Sequence, residues 1–274
     1  MKILFCLFSR FNLITICIFM SLPVHSETVY FSDGFESGDF SNFNFVTRNA
    51  AIQSDVAYNG NNSLLLSYNL AEGEPAHADN NRYVIVNVAE HDLQRFFLRG
   101  CFMLPTSTQD GRPYLPSGLR KMFYIFSDNY YSADARWDLM ISVVGGVKGY
   151  PLSINVGTNY YPSFSDLTYA EKNLGQGEIH YDQWHCLEAE LKLNTPDIKD
   201  GYVKLWLDGS LVLDRQDISI RKNTEGLGFI QVGTQINRVS DINSQAEDRY
   251  WDDIKISDTY SSLRPKSPSN LTSQ

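Results

Sequence analysis

The sequence predicts an all-β protein, a sandwich or jelly roll, on three observations. From Leu187 to Leu193 apolar side chains fall on every second residue, with Cys186, Glu188, Glu190 and Lys192 on the other face. That is the period of a strand packed on one side. Between YVKLWL and SLVLDR stands Asp208-Gly209, which supplies the positive φ angles of a tight hairpin. Elsewhere short β-rich segments alternate with turn signals, and no segment sustains a helical apolar period for more than two turns.

In chain order, residues 1–26 read as a secretory signal peptide: Lys2 and Arg10, the apolar run LITICIFMSL, and a small residue, Ser26, before the expected cleavage. The run is shorter than the roughly 20 residues that span a bilayer. The protein is therefore expected to be secreted or periplasmic, with no membrane span. One sandwich domain is expected over residues 27–263, followed by a Pro/Ser-rich disordered tail over 264–274.

The formal charge of −9 becomes −11 once the leader, with two basic and no acidic residues, is removed. That sign disfavours nucleic acid and anionic membranes as partners. It leaves room for an anionic glycan in a locally basic groove. Cys6 and Cys17 belong to the leader, so Cys101 and Cys186 remain, in a compartment where a disulfide forms. Two cysteines without a Cys-His cluster do not suggest structural zinc.

The mature chain opens with a short strand and an acidic, glycine-punctuated loop holding Asp33, Glu36 and Asp39. A turn at Asn59-Gly60 precedes a strand at 64–68, and another is expected at 83–88. In QRFFLRGCFML one face carries Arg95, Phe97, Arg99, Cys101 and Met103, and the other Phe96, Leu98, Gly100 and Phe102. KMFYIFSD follows a Pro/Gly-rich loop. In ARWDLMISVV, Trp137, Leu139, Ile141 and Val143 oppose Arg136, Asp138, Met140 and Ser142. Residues 158–180 read as loop, GLGFIQVGTQI as a strand, 237–249 as a polar loop, and YWDDIKISD as the last strand.

Three segments, DGFESGDFSNF, WHCLEAELKLNTPDIKDGYVKLWLDGSLV and YWDDIKIS, resemble the concanavalin A-like lectin/glucanase superfamily, and within it the secreted bacterial jelly-roll polysaccharide lyases. The resemblance implies two curved antiparallel sheets, adjacent terminal strands, and a glycan-binding groove on a concave face. Members of the superfamily eliminate, hydrolyse or only bind glycans, and the fold does not choose among these. Two motifs depart from known catalytic signatures. Gln231-Val232-Gly233 lacks the histidine of the Gln-Ile/Val-His triplet of jelly-roll alginate lyases, and Glu188 and Glu190 do not fit the E-x-D-x-x-E spacing of retaining glucanases.

If Cys101 and Cys186 oppose each other on antiparallel neighbours, Arg99 falls opposite Glu188 and Leu98 opposite Ala189. A cross-strand ion pair accounts for the two charges without chemistry. Elimination from a uronate needs a group to neutralise the carboxylate, a base for the adjacent proton and an acid for the leaving oxygen. Arg99, Lys121 and Arg136 are the candidate neutralisers, and His180 and Tyr181, at a loop edge, move the proton. Tyr150 and His185 are of suitable type, but His185 shares the packed face with Leu187. Glu188, Glu190, Tyr202 and Trp206 are candidates for a substrate-binding wall, with Trp206 beside Lys204 a better sugar platform than Trp137.

Asp33, Glu36, Asp252 and Asp253 suggest a structural Ca2+ site if the terminal strands pair. The function expected is a monomeric lyase of uronate-containing polysaccharide. The alternatives are a non-catalytic carbohydrate-binding or adhesive module and, last, a glycoside hydrolase using Glu188 and Glu190, which lie about 7 Å apart on one face.

Overall fold

The computed structural model describes residues 3–7, 16–20, 26–69, 82–106, 118–128, 137–145, 153–157, 179–233, 236–237 and 246–259. Strands β1 (Ile3–Leu7) and β2 (Ile16–Met20) form a two-stranded ribbon of their own. Then come β3 (Val29–Asp33), β4 (Phe45–Val46), β5 (Ala50–Gln53), β6 (Ser63–Asn69), β7 (Val84–Asn87) and β8 (Arg95–Met103). The middle of the chain supplies β9 (Gly118–Ser127), β10 (Asp138–Gly145), β11 (Ser153–Gly157) and β12 (Trp184–Lys192). The last are β13 (Gly201–Leu207), β14 (Ser210–Ile218), β15 (Leu227–Val232), β16 (Ile236–Asn237) and β17 (Ala246–Ser257). Among the described residues the only helical element is a 3₁₀ turn at Ala89–His91.

Apart from the ribbon, the strands form two antiparallel sheets. The eight-stranded sheet runs β14-β13-β12-β8-β17-β6-β5, with β3 also on β17, so the first and last strands of the domain pair as expected. The seven-stranded sheet runs β11-β10-β9-β15-β7-β4, with β16 also on β9. The Asp208-Gly209 hairpin joins β13 to β14 with both residues at positive φ.

The core lies between the sheets and follows the alternation in the sequence. Phe96, Leu98 and Phe102 of β8, Leu187, Ala189 and Leu191 of β12, and Trp251 and Ile254 of β17 meet Phe123 and Ile125 of β9 and Leu139, Ile141 and Val143 of β10. Trp251 is fully buried against Phe102 and Phe123, the latter edge-on at 5.1 Å. This crowding explains Gly100 in mid-strand, where a Cβ would lie 2.6 Å from Phe123 Cζ and 2.9 Å from Ile254 Cδ1. Trp137 belongs to this core, as its alternation indicated.

The register of β8 and β12 is the one the cysteines imply. Cys101 faces Cys186, Arg99 faces Glu188 and Leu98 faces Ala189. The two sulfurs are bonded, with 4.0 Å between Cα atoms, on the outer face of the eight-stranded sheet beside Trp184, Tyr250 and Leu65.

One boundary differs from expectation. The polar loop expected over 237–249 ends sooner, because β17 begins at Ala246 and carries Glu247 and Arg249 into the sandwich, both fully buried. They are stable there because Glu247 is bracketed by two guanidiniums, Arg249 Nε at 2.6 Å and Arg120 Nε of β9 at 2.9 Å. Charges paired in this way can occupy the inward positions of a strand that composition alone assigns to a loop.

Candidate active site on the seven-stranded sheet

The two outer faces of the sandwich divide the residues singled out in the sequence. On the eight-stranded sheet Arg99 bonds Asp253 at 2.8 Å and lies 3.9 Å from Glu188, so Asp253 is its closer partner. Glu190 beside it is buried, holding Arg95 at 2.6 Å and accepting the Tyr202 hydroxyl at 2.5 Å. Tyr202 and Trp206 are half-buried along the same face, with Lys204 Nζ 5.4 Å from the Tyr202 ring. Burial and the Glu190 bond both push the Tyr202 phenol above its ordinary value.

Lys121 is on the other outer face, that of the seven-stranded sheet. It therefore cannot share a groove with Arg99, Glu188, Glu190, Tyr202 or Trp206, because two packed layers about 10 Å apart lie between them. Arg136 and Tyr150 lie outside the described residues.

A bulge in β9 decides where Lys121 points. In the β9–β10 register Phe123 pairs with Ile141 and Lys121 with Ser142, leaving Met122 as the extra residue. Simple alternation would send Lys121 inward with Phe123 and Ile125. The bulge instead turns Arg120 inward and sets Lys121 on the outer face with Tyr124 and Phe126.

There Lys121 Nζ stands 5.3 Å from the centre of the Tyr124 ring. The Tyr124 hydroxyl donates to Asp138 Oδ2 at 2.6 Å. Tyr124, Phe126 and Met140 form a separate apolar cluster with Phe229 packed on it, and Gln231 pairs with Tyr124 in register. Lys121, Tyr124, Asp138, Met140 and Ser142 all face away from the core, yet none is more than 7% exposed. Burial lowers the Lys121 amine from its ordinary range, and the Asp138 carboxylate opposes that shift. A cation, a phenol tethered to a carboxylate and a flat apolar floor stand together, a set able to hold a sugar acid and move a proton beside it.

His180 and Tyr181 occupy the turn before β12. The turn is fixed by Asp182, whose carboxylate accepts the backbone N–H and hydroxyl of Thr106, each at 2.8 Å. His180 is exposed and Tyr181 half-buried. Burial raises the Tyr181 phenol, and the nearby Arg120 guanidinium opposes this. His185 is a core histidine: Nε2 accepts the His180 backbone N–H at 2.9 Å, which leaves Nδ1 to donate to Asp208 at 2.7 Å. With both ring nitrogens engaged it is not a free base.

The four acids considered for Ca2+ are each occupied by other groups. Asp33 accepts from the Phe35 backbone and the Asn42 side chain, Glu36 from the backbones of Asn61 and Asn62, and Asp252 from those of Tyr58, Asn59 and Asp253, while Asp253 holds Arg99. Among the described residues no group of three or more His, Cys, Asp or Glu is placed to hold a metal ion. These bonds tie the loops over 33–42 and 56–62 to β17.

A family model for polysaccharide lyases matches residues 35–255. The chain belongs to the polysaccharide lyase family. A comparison with curated proteins gave no match. Among solved structures, similarity extends to an endo-β-1,4-glucuronan lyase from the fungus Trichoderma reesei, 13% identical, with a TM-score of 0.60 over 87% of this chain and 99% of that one. A marine alginate lyase from Aplysia kurodai is 12% identical, with a TM-score of 0.59 over 84% and 98%. The alginate lyase Aly36B, as a mutant bound to an alginate tetrasaccharide, is 13% identical, with a TM-score of 0.56 over 84% and 95%. At such identities these likenesses establish the jelly-roll fold of the lyase.

Reading residues alone missed Tyr124 and Asp138. Asp138 was visible on the polar face of its strand, opposite an apolar row. Tyr124 was hidden because the bulge at Met122 breaks the alternation of KMFYIF. Gly233, where the triplet of jelly-roll alginate lyases has histidine, has φ +66°, and a Cβ there would lie 2.2 Å from Leu66 Cδ1. A histidine there would be strained by the positive φ and would displace the Leu66 side chain.

Proposed function

We propose that this lyase is exported and cleaves a uronate-containing polysaccharide by β-elimination on the outer face of β9 and β10. The observation that carries the reading is the Lys121–Tyr124–Asp138 cluster: a buried amine beside a phenol whose proton is directed to a carboxylate. Family membership supports a polysaccharide substrate, and the similar folds include lyases named for glucuronan and alginate.

In this mechanism Lys121 pairs with the uronate carboxylate, so that negative charge developing on it as the C5 proton leaves is stabilised where water is excluded. With its own proton passed to the Asp138 carboxylate, Tyr124 takes the C5 proton. The electron pair of that C–H bond forms the C4–C5 double bond, the C4–O bond breaks, and the departing oxygen takes that proton from Tyr124, which recovers its own from Asp138. His180 and Tyr181 remain further proton carriers at the β12 turn. The Cys101–Cys186 disulfide accords with an oxidising compartment, and one chain acts as a monomer.

The test is incubation with alginate, glucuronan, heparin and pectin while following short-ultraviolet absorbance of the unsaturated product. Rising absorbance on a polymer supports the reading. New reducing ends without it indicate hydrolysis, binding with neither indicates a carbohydrate-binding module, and either result overturns the reading.

A further inference from the structure

We infer that Glu247 and Arg249, buried between the sheets, are positioning residues for Lys121, pinning the β9 bulge that turns its amine to the outer face. The inference rests on the reading of Lys121 as the group that meets the substrate carboxylate. Three consecutive residues of β9 are held, two from the interior and the third by the chain beside it in the sheet. The Arg120 guanidinium bonds Glu247 at 2.9 Å, the Lys121 carbonyl accepts from Arg249 Nη1 at 3.2 Å, and the Met122 carbonyl accepts from the Gly233 backbone N–H at 2.8 Å.

Arg249 is itself fixed on two further sides. Its Nε donates to Glu247 at 2.6 Å, its plane lies 4.3 Å from the Tyr68 ring, and the Tyr68 hydroxyl is anchored to the Arg82 carbonyl at 2.9 Å.

Burying three charges is costly, and apolar residues of similar volume often hold a core as well. What the charges supply here is register. A one-residue slip of a strand exchanges its faces, and at the bulge that slip would bring Lys121 inward and expel Arg120. Glu247 binds Arg120 only in the register where residue 120 points in, and Arg249 Nη1 donates to the Lys121 carbonyl of that same register. The network therefore selects the arrangement in which the amine reaches Tyr124 and Asp138.

The test uses the full chain and two readouts. One is kcat/KM on whichever polymer the wild type cleaves. The other is trace acylation of the Lys121 amine, scored by mass spectrometry against that of Lys204. For Arg249→Lys, which keeps the charge but loses the planar fork, kcat/KM is expected to fall about 10- to 10²-fold, the scale of a displaced reacting group. Lys121 acylation changes severalfold while Lys204 does not. Leu205→Ala, a core variant of β13, serves as the control that loses stability without changing either readout per folded molecule.

If Arg249→Lys does not fold, Glu247→Asp is read in the same way. A folded variant with wild-type kcat/KM and Lys121 acylation overturns the inference. If the wild type cleaves no uronate polymer, the functional reading fails, and acylation alone then decides whether the network positions Lys121.

Discussion

Lys121 stands over the ring of Tyr124, its Nζ 5.3 Å from the centroid, although the two are three residues apart on one strand. Odd separations put side chains on opposite faces of a regular strand, so the extra residue at Met122 is what brings them together. Replacing Lys121 by Met is expected to lower kcat about 10²- to 10³-fold, as for loss of one charge-stabilising donor. Replacing Arg99 by Met, on the opposite face, lowers stability by stranding Asp253 and Glu188 but leaves activity per folded molecule near wild type. Steady-state kinetics at equal folded fraction separates the two.

The same geometry ranks the tyrosines. Tyr124→Phe removes the phenol that donates to Asp138, and as loss of a positioned proton carrier it is expected to cost about 10²- to 10⁴-fold in kcat. Tyr181→Phe costs less, because Tyr181 is packed against the core at the sandwich end. A larger loss at Tyr181 than at Tyr124 would move the proton transfer to the β12 turn.

The disulfide closes a separation of 85 residues, and by loop entropy it stabilises the fold by about 4–5 kcal/mol. The paired Cys101→Ser and Cys186→Ser variant should lose stability of that order in urea unfolding while the register of β8 and β12 persists. That register is also held by the apolar alternation of Phe96, Leu98, Leu187 and Ala189, which a one-residue slip would turn to solvent.

Much of this was legible in the residues, because alternation states which side chains share a face within one strand. It placed Trp137 in the core and His185 on the packed side, and the register implied by opposed Cys101 and Cys186 set Arg99 opposite Glu188. It does not state which sheet a strand joins, so Arg99 and Lys121, equal as basic residues on β-strands, could not be assigned to opposite outer faces. Nor does it show a bulge, whose effect is to invert the faces of every residue beyond it. Glu247 reads as loop because one of its neutralising partners, Arg120, is more than a hundred residues away in sequence.

Two glycines test how closely the sheets are packed. Gly100→Ala brings a methyl against Phe123 and Ile254 and is expected to cost about 1–3 kcal/mol by overpacking. Gly233→His creates the triplet of jelly-roll alginate lyases in sequence but meets Leu66 and a positive φ. It is expected to lower the melting temperature without raising activity, as thermal unfolding and the ultraviolet assay would show.

Asp252 links stability to pH. It is fully buried, and desolvation pushes its carboxyl up to about 6, against the three backbone N–H groups of Asn59, Asp253 and Tyr58 that favour its charge. The folded chain therefore holds this proton in a range where the unfolded chain, titrating near 3.9, has released it. The stabilisation is fully present below about pH 4 and is lost as pH rises through about 6, a change of roughly 2–3 kcal/mol. Asp252→Asn cannot titrate and so lacks this slope, while its amide faces backbone donors and costs a constant amount at every pH. The difference in unfolding free energy between wild type and Asp252→Asn should therefore narrow between pH 4 and 7 in urea titrations. A difference that widens over that range would mean that the three N–H donors outweigh burial and hold the carboxyl below its ordinary value.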